Sequence, residues 1–303
     1  MPTPTSRVLV KLRPDGALRA AEIRSNLRPL YDSKPGADLR AAATPQWFVA
    51  DLPEAAATPW DLAHTQIASR LGVAESEVMF AEPDLVHDIY RDTNQTPAGR
   101  PFAVGESCGP IPQDASHRKV TGPDTFAWHL GASHSQLAAA RAAVAFTEPR
   151  TRVAHIDTGY YRAHDTVPAR VRRDLECNFV ERDTDPRSAE DPDNRVLLLD
   201  NSGHGTGTLS ILAGGRSSAH GNAVLGGAPD AEVVPIRVAD SVVLLRTSAL
   251  ARAFRYAVEQ RCYVVTLSMG GVPSRAWSEA VDEAYESGPV SYTHLTLPTI
   301  YSV

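Results

Sequence analysis

Two residues in the second half of the chain combine useful chemistry with unusual settings. Asp157 ends the apolar run Arg152-Val153-Ala154-His155-Ile156 and is followed by Thr158-Gly159. Its carboxylate therefore stands at a strand end with a tight turn behind it, where a fixed orienting group belongs. About fifty residues later, His204 lies in Asn201-Ser202-Gly203-His204-Gly205-Thr206-Gly207, whose glycines permit close backbone approach as a helix begins. An imidazole presented there can take and return a proton near neutral pH, provided a carboxylate holds its other nitrogen. Taken singly, each has an ordinary structural reading: a strand-ending Asp caps turns, and a solitary His more often belongs to a core.

Other groups of the right chemical type occur in more ordinary settings. Ser268-Met269-Gly270-Gly271 closes an apolar run and reads by itself as a strand ending in a glycine turn. Asp183, Asp185, Glu190, Asp191, Asp193 and Asn194 supply oxygen ligands of the type calcium takes, but they match no twelve-residue EF-hand loop, and a solvated acidic loop is favoured. His155, Asp157, His164 and His204 could compose a metal site, yet no HExxH or short paired spacing supports one. Gly203, Gly205 and Gly207 are not spaced as GxGxxG and do not open the first strand–helix unit, so a dinucleotide reading is weak. Cys108, Cys177 and Cys262 are far apart and in no CxxC pair, which argues against a disulfide framework and a structural zinc. No cofactor is expected; calcium stays possible and unsupported.

The 303 residues are 43% hydrophobic and 22% charged, the profile of a globular chain and not of a disordered or fibrous one. A net charge of −6 with no basic block argues against nucleic acid as a partner. No apolar run approaches the ~18 residues a membrane span requires. The start, MPTPTSRVLVKLRPDG, has no apolar core followed by a small-residue cleavage site, so the expected location is cytoplasmic, or secreted if the true start lies elsewhere.

These candidates need elements to hold them. Residues 1–91 read as an α+β unit: strands at 7–12, near 47–52 and at 77–84, a helix running to Pro29, and another from Pro59 that stops at Gly72. Their expected arrangement is a mainly antiparallel sheet with helices on one face. Residues 92–124 are rich in Pro, Gly, Asn, Gln and Ser and read as a linker. From 125 to 288, apolar strands (152–157, 231–238, 263–271) alternate with amphipathic helices (after Gly203, 246–260, 274–288), and VLLLD adds a strand or core edge. That alternation predicts an α/β domain with a parallel sheet between helices, whose functional groups sit at the carboxyl ends of strands. Residues 289–303 read as a non-native tail: from Val290 onward they contain no Asp, Glu, Lys, Arg, Gly or Ala.

In combination, strand-IDTG, then GHGTG opening a helix, then APDAEVVPIRV and a strand ending LSMGG resemble the subtilisin-like serine peptidases, the subtilases, over residues 125–288. Asp before His, with Ser last, is that family's chain order. The resemblance implies that Asp157 orients the imidazole and stabilises its protonated form, and that His204 is the general base towards a serine hydroxyl. It further implies that Ser268, Met269, Gly270 and Gly271 form a substrate strand pairing with an extended polypeptide, and that Gly226-Gly227-Ala228-Pro229 is a structural turn. The first unit resembles the family's inhibitory propeptide, its sharpest motif being Ala81-Glu82-Pro83-Asp84. It would then be a ferredoxin-like partner that assists folding and occupies the cleft; a ferredoxin-like domain unrelated to inhibition is the other reading.

Two departures bear on function. The family often places a second His where Gly207 stands, followed by a small Val-Ala-Gly run where this chain has Thr208-Leu209-Ser210, which puts the packing of that helix in question. The chain also contains no GTSMAxP segment and, after Gly288, no Asn set in an apolar strand, so neither nucleophile nor oxyanion donor is present. Ser268-Met269 is the wrong pair for the nucleophile, since it closes a strand and does not open a helix. The expected function is therefore an inactive fragment of a serine endopeptidase. A catalytically dead, peptide-binding pseudoprotease is the alternative, and a metal hydrolase the third.

Overall fold

The computed structural model describes residues 6–15, 26–31, 45–52, 59–88, 127–144, 150–180, 185–191, 203–218, 221–240, 244–270, 273–287 and 291–293. In chain order the strands among them are β1 (Arg7–Leu12), β2 (Leu27–Pro29), β3 (Gln46–Asp51), β4 (Val78–Pro83), β5 (Val86–Asp88), β6 (Arg152–Asp157) and β7 (Cys177–Asn178). They continue with β8 (Arg216–Ser217), β9 (Ala223–Val224), β10 (Glu232–Arg237), β11 (Leu244–Arg246), β12 (Val264–Leu267) and β13 (Ser291–Thr293). The chain forms two compact units. The first comprises Met1–Thr93 with Val243–Tyr256 and Gly271–Glu286; the second comprises Asn94–Val242, Ala257–Gly270 and Ser287–Val303.

In the first unit, β1 lies between β3 and β4 with β2 outermost, giving a four-stranded sheet of order β2-β3-β1-β4 in which all pairs are antiparallel. The strand period sorts its side chains. Val8, Val10 and Leu12 with Phe48 and Ala50 face one way and pack with Leu62, Ile67 and Leu71 of the helical segment 59–71. Gly72 ends that segment with a left-handed φ of 70°, and its amide closes back on the last turn.

Two expectations need correction here. The helix anticipated up to Pro29 is absent at its end, because Leu27–Pro29 pair with Phe48–Ala50 as strand β2; residues 16–25 lie outside the described residues. The sheet is also covered on both faces. Leu9, Trp47 and Val49 on the second face are buried, and Lys11 Nζ and Trp47 Nε1 both donate to Glu279 in the helix Arg275–Glu286.

The end of β4 explains Ala81-Glu82-Pro83-Asp84. The Glu82 carboxylate accepts the amides of Arg275 (2.9 Å) and Ala276 (3.0 Å) and the Ser274 hydroxyl (2.7 Å), so it caps the helix Arg275–Glu286. Asp84 does the same for the helix Thr247–Glu259, accepting the Ser248 amide (2.9 Å) and hydroxyl (2.8 Å). Helix N-termini expose unpaired N–H groups and a partial positive charge, so a buried carboxylate placed there satisfies both partners.

The second unit is built on a sheet of order β13-β12-β6-β10-β7 with every pair parallel. Val153, Ala154 and Ile156 of β6 and Val233, Val234 and Ile236 of β10 are all buried. Residues on both faces are therefore apolar, as a covered parallel sheet requires. Leu209 and Ala213 of the helix His204–Ala213 pack with Val233 and Tyr160. Ser291–Thr293, in the segment read as a non-native tail, pair with Val264–Thr266; residues 192–200, which carry the anticipated VLLLD strand, lie outside the described residues. Among the described residues no helix is long and apolar enough to cross a membrane.

Glu82→Ala strips the acceptor from two helix amides, the buried one of Ala276 among them, and should lower stability by about 2 kcal/mol. Glu82→Gln, which keeps an oxygen in place, should lose less. Urea unfolding of the full chain measures both.

Candidate active site

Asp157 is the last residue of β6, between β12 and β10, so its side chain emerges at the carboxyl end of the sheet's central strand. It is 1% exposed. A carboxylate so buried stays ionised only if donors surround it. Its Oδ1 accepts the Thr158 amide at 2.7 Å and His204 Nδ1 at 2.7 Å, and its Oδ2 accepts the Thr208 hydroxyl at 2.9 Å. Burial pushes its pKa up, but the hydrogen bond from His204, the nearby imidazoles of His155 and His204 and the Thr158 amide together hold it below the ordinary carboxylate range.

His204 begins the helix His204–Ala213, directly after Gly203 at φ 84°. The carboxylate can only accept, so Nδ1 carries the proton of the 2.7 Å bond and Nε2 is left to exchange protons with a third group. The side chain keeps 19% exposure, enough for such an exchange. Burial lowers the imidazole pKa, while the bond to Asp157 and its charge raise it by more, and the net shift is upward.

The local sequence explains how the helix start reaches the strand end. A Cβ on Gly205 would lie 1.9 Å from the Gly159 carbonyl oxygen and 3.1 Å from Asp157 Oδ1, so only glycine lets the helix approach this closely. The Gly205 amide donates to Thr158 Oγ1 at 3.1 Å, the Tyr161 amide to Thr206 Oγ1 at 2.9 Å, and the Gly203 amide to Asp191 Oδ2 at 3.0 Å. From β10, the fully buried Arg237 donates Nε to the Thr158 carbonyl at 2.8 Å and Nη2 to Asp240 at 2.7 Å. Turn, helix and neighbouring strand are thus tied together around one carboxylate.

The departure at Gly207-Thr208-Leu209-Ser210 does not disturb the helix. Leu209 and Ser210 are buried, and the Ser210 hydroxyl pairs with Thr166 Oγ1 at 2.5 Å. Sequence spacing does not mark Thr208 as a site residue, and it marks His155 only as a potential metal ligand. Yet His155 Nε2 lies 2.9 Å from Thr208 Oγ1 and 3.9 Å from Asp157 Oδ2.

The remaining candidates fall elsewhere. Ser268, Met269 and Gly270 directly follow β12, with Ser268 exposed; Gly271 lies outside the described residues. Among the described residues no hydrogen bond joins Ser268 to Asp157 or His204. Of the acidic loop, Asp185 accepts the Arg187 amide, Asp191 holds Gly203, and Glu190 lies 3.6 Å from Arg162; Asp183, Asp193 and Asn194 lie outside the described residues. His164 Nδ1 is engaged by Thr166 at 2.9 Å. Among the described residues no cluster of His, Cys, Asp and Glu has metal-holding geometry. Burial raises the Cys262 thiol to about 12, which makes it a poor nucleophile.

Gly205→Ala should cost about 3 kcal/mol in urea unfolding, or displace the helix start, because backbone must move. Gly207→Ala is the control: a Cβ there meets nothing within 4 Å, so helix propensity should raise stability by up to about 1 kcal/mol. The pair also sets a pH dependence. His204's raised folded pKa means its bond to Asp157 stabilises the fold fully below the unfolded value of about 6.5, and that contribution is lost as pH rises through the folded pKa. The stability lost on His204→Gln should therefore be larger at about pH 5.5 than at about pH 8.5.

Comparison with known proteins places the chain's family and fold. Residues 148–299, half of the chain, match the subtilase family. Thermitase of Thermoactinomyces vulgaris is 29% identical over 140 residues, 46% of this chain and 44% of thermitase. Subtilisin-like proteinase Mp1 of Magnaporthiopsis poae is 29% identical over 224 residues, 70% of this chain and 43% of its own length. The crystal structure of fervidolysin from Fervidobacterium pennivorans, a keratinolytic enzyme related to subtilisin, superposes with a TM-score of 0.55 at 17% identity, covering 96% of this chain and 39% of fervidolysin, and shows the same fold. The chain spans less than half the length of each of these relatives. With an α/β fold, a parallel sheet and this family match, the chain belongs to the subtilases, the subtilisin-like serine endopeptidases.

Proposed function

We propose that this chain carries the acid–base part of a serine endopeptidase, with Asp157 as the orienting carboxylate and His204 as the general base. The observation that carries this reading is the 2.7 Å contact between His204 Nδ1 and Asp157 Oδ1 at the carboxyl end of the central strand. In the reaction, His204 Nε2 takes the proton of a serine hydroxyl as that oxygen attacks the peptide carbonyl carbon. Asp157 stabilises the imidazolium, which then gives its proton to the departing amine, and a water activated in the same way releases the acyl group. The extended polypeptide lies along residues 268–271, whose glycines leave room for a side chain.

The nucleophile is not among these 303 residues, and this chain alone is inert. Ser268 is a poor substitute, being exposed beyond the end of a strand. Residues 1–91 act as a propeptide-like partner. Support for that comes from the caps that Glu82 and Asp84 place on two helices from the second half of the sequence.

A fluorophosphonate probe, which marks activated serines, should leave the purified chain unlabelled. Labelling that disappears on Ser268→Ala would overturn the assignment of the missing nucleophile. Joining the chain to the remainder of its reading frame should restore labelling, and His204→Ala should abolish it again. Tight peptide binding by a frame that encodes no further serine segment would instead favour the pseudoprotease reading.

A further inference from the structure

Strand and helix periods bring four polar side chains into one row. His155 precedes Asp157 by two residues on β6, so both project from the same face. Thr208 follows His204 by four residues, one turn along the same helix face. The result is a chain of contacts from His155 Nε2 to Thr208 Oγ1 (2.9 Å), from Thr208 Oγ1 to Asp157 Oδ2 (2.9 Å), and from Asp157 Oδ1 to His204 Nδ1 (2.7 Å).

We propose that Thr208 and His155 are positioning residues for Asp157: Thr208 donates its proton to Oδ2, and His155, as the neutral Nε2–H tautomer, holds the Thr208 oxygen in place. This rests on the reading of Asp157 and His204 as the acid–base pair. The assignment follows from counting protons. Thr208 has one proton, with Asp157 Oδ2 at 2.9 Å, the Gly205 carbonyl at 3.2 Å and His155 Nε2 at 2.9 Å within reach. An ionised carboxylate is the strongest of these acceptors, so the proton goes to Oδ2. A bare Nε2 would then face a lone pair at hydrogen-bond distance, and the contact is favourable only if Nε2 carries the hydrogen.

Burial keeps His155 neutral, pushing its imidazole pKa down, with the His204 charge acting in the same direction and the Asp157 charge opposing. Among the described residues, the charged groups nearby are engaged by other partners: Arg237 by the Thr158 carbonyl and Asp240, and Asp191 by the Gly203 amide. Shape does not account for the hydroxyl. Valine, which the resemblance leads one to expect at 208, has nearly the same outline and no donor. With Oδ2 anchored, rotation of the carboxylate is blocked and Oδ1 stays turned to His204.

Histidine-resolved 15N NMR on the full chain tests this without requiring turnover. In the unsubstituted protein His155 should appear as the neutral Nε2–H tautomer at neutral pH, while His204 titrates above the ordinary imidazole value. Thr208→Val should move the His204 midpoint back towards that value by about half a pH unit and shift its Nδ1 proton signal. Thr208→Ser should keep both as in the parent. An Nδ1–H tautomer at His155, or a Thr208→Val protein whose His204 titrates as the parent does, overturns the proposal. The tautomer reading needs no variant, so it decides the matter even if Thr208→Val fails to fold. If the His204 midpoint is the same in the parent and in Asp157→Asn, the acid–base pair itself fails, which is a different outcome from a silent Thr208→Val.

Discussion

An ionised carboxylate with 1% exposure is the constraint around which the second unit is organised. Water cannot solvate Asp157, so protein donors must, and each donor fixes an element. The Thr158 amide fixes the turn, His204 fixes the helix start, and Thr208 fixes the helix one turn further on. Gly205 is the steric condition for this, since any side chain there would collide with the Gly159 carbonyl. The same bonds that keep the carboxylate ionised give the imidazole its tautomer and its upward pKa shift. Structure and acid–base character therefore have one physical origin.

The first unit solves a related problem with the same means. Glu82 is 4% exposed and Asp84 fully buried, and both find their donors at helix N-termini, where amides lack intrahelical partners. Arg246 and Arg7 add positive charge near Asp84 at 3.5 Å and 3.7 Å. Its pKa is nevertheless raised, because burial outweighs them. Removing either carboxylate leaves helix amides without an acceptor, so the short Glu-Pro-Asp run contributes well beyond its length.

Much of this was legible in the residue order. Alternation in Val8, Val10 and Leu12 marked β1, Gly72 marked a helix stop, and Asp157 with His204 carried enough spacing and glycine context to suggest a pair. What escaped sequence reading was non-local. Leu27–Pro29 continue a helical spacing, yet the edge of β3 offers them ladder bonds, and tertiary pairing overrides local periodicity. Thr208 looked like a packing substitution because its partner is 51 residues away. His155 looked like a ligand because sequence does not reveal which buried nitrogen meets which oxygen. The caps formed by Glu82 and Asp84 join residues more than 160 positions apart, a separation at which spacing carries no signal.

The coupling of one carboxylate to one imidazole is tested most directly by following the His204 ring through a pH titration, in the full chain and in its Asp157→Asn variant. The account predicts a midpoint above the ordinary imidazole value of about 6.5 in the first, and a lower midpoint in the second as the charge is removed. Identical midpoints in the two proteins would contradict it.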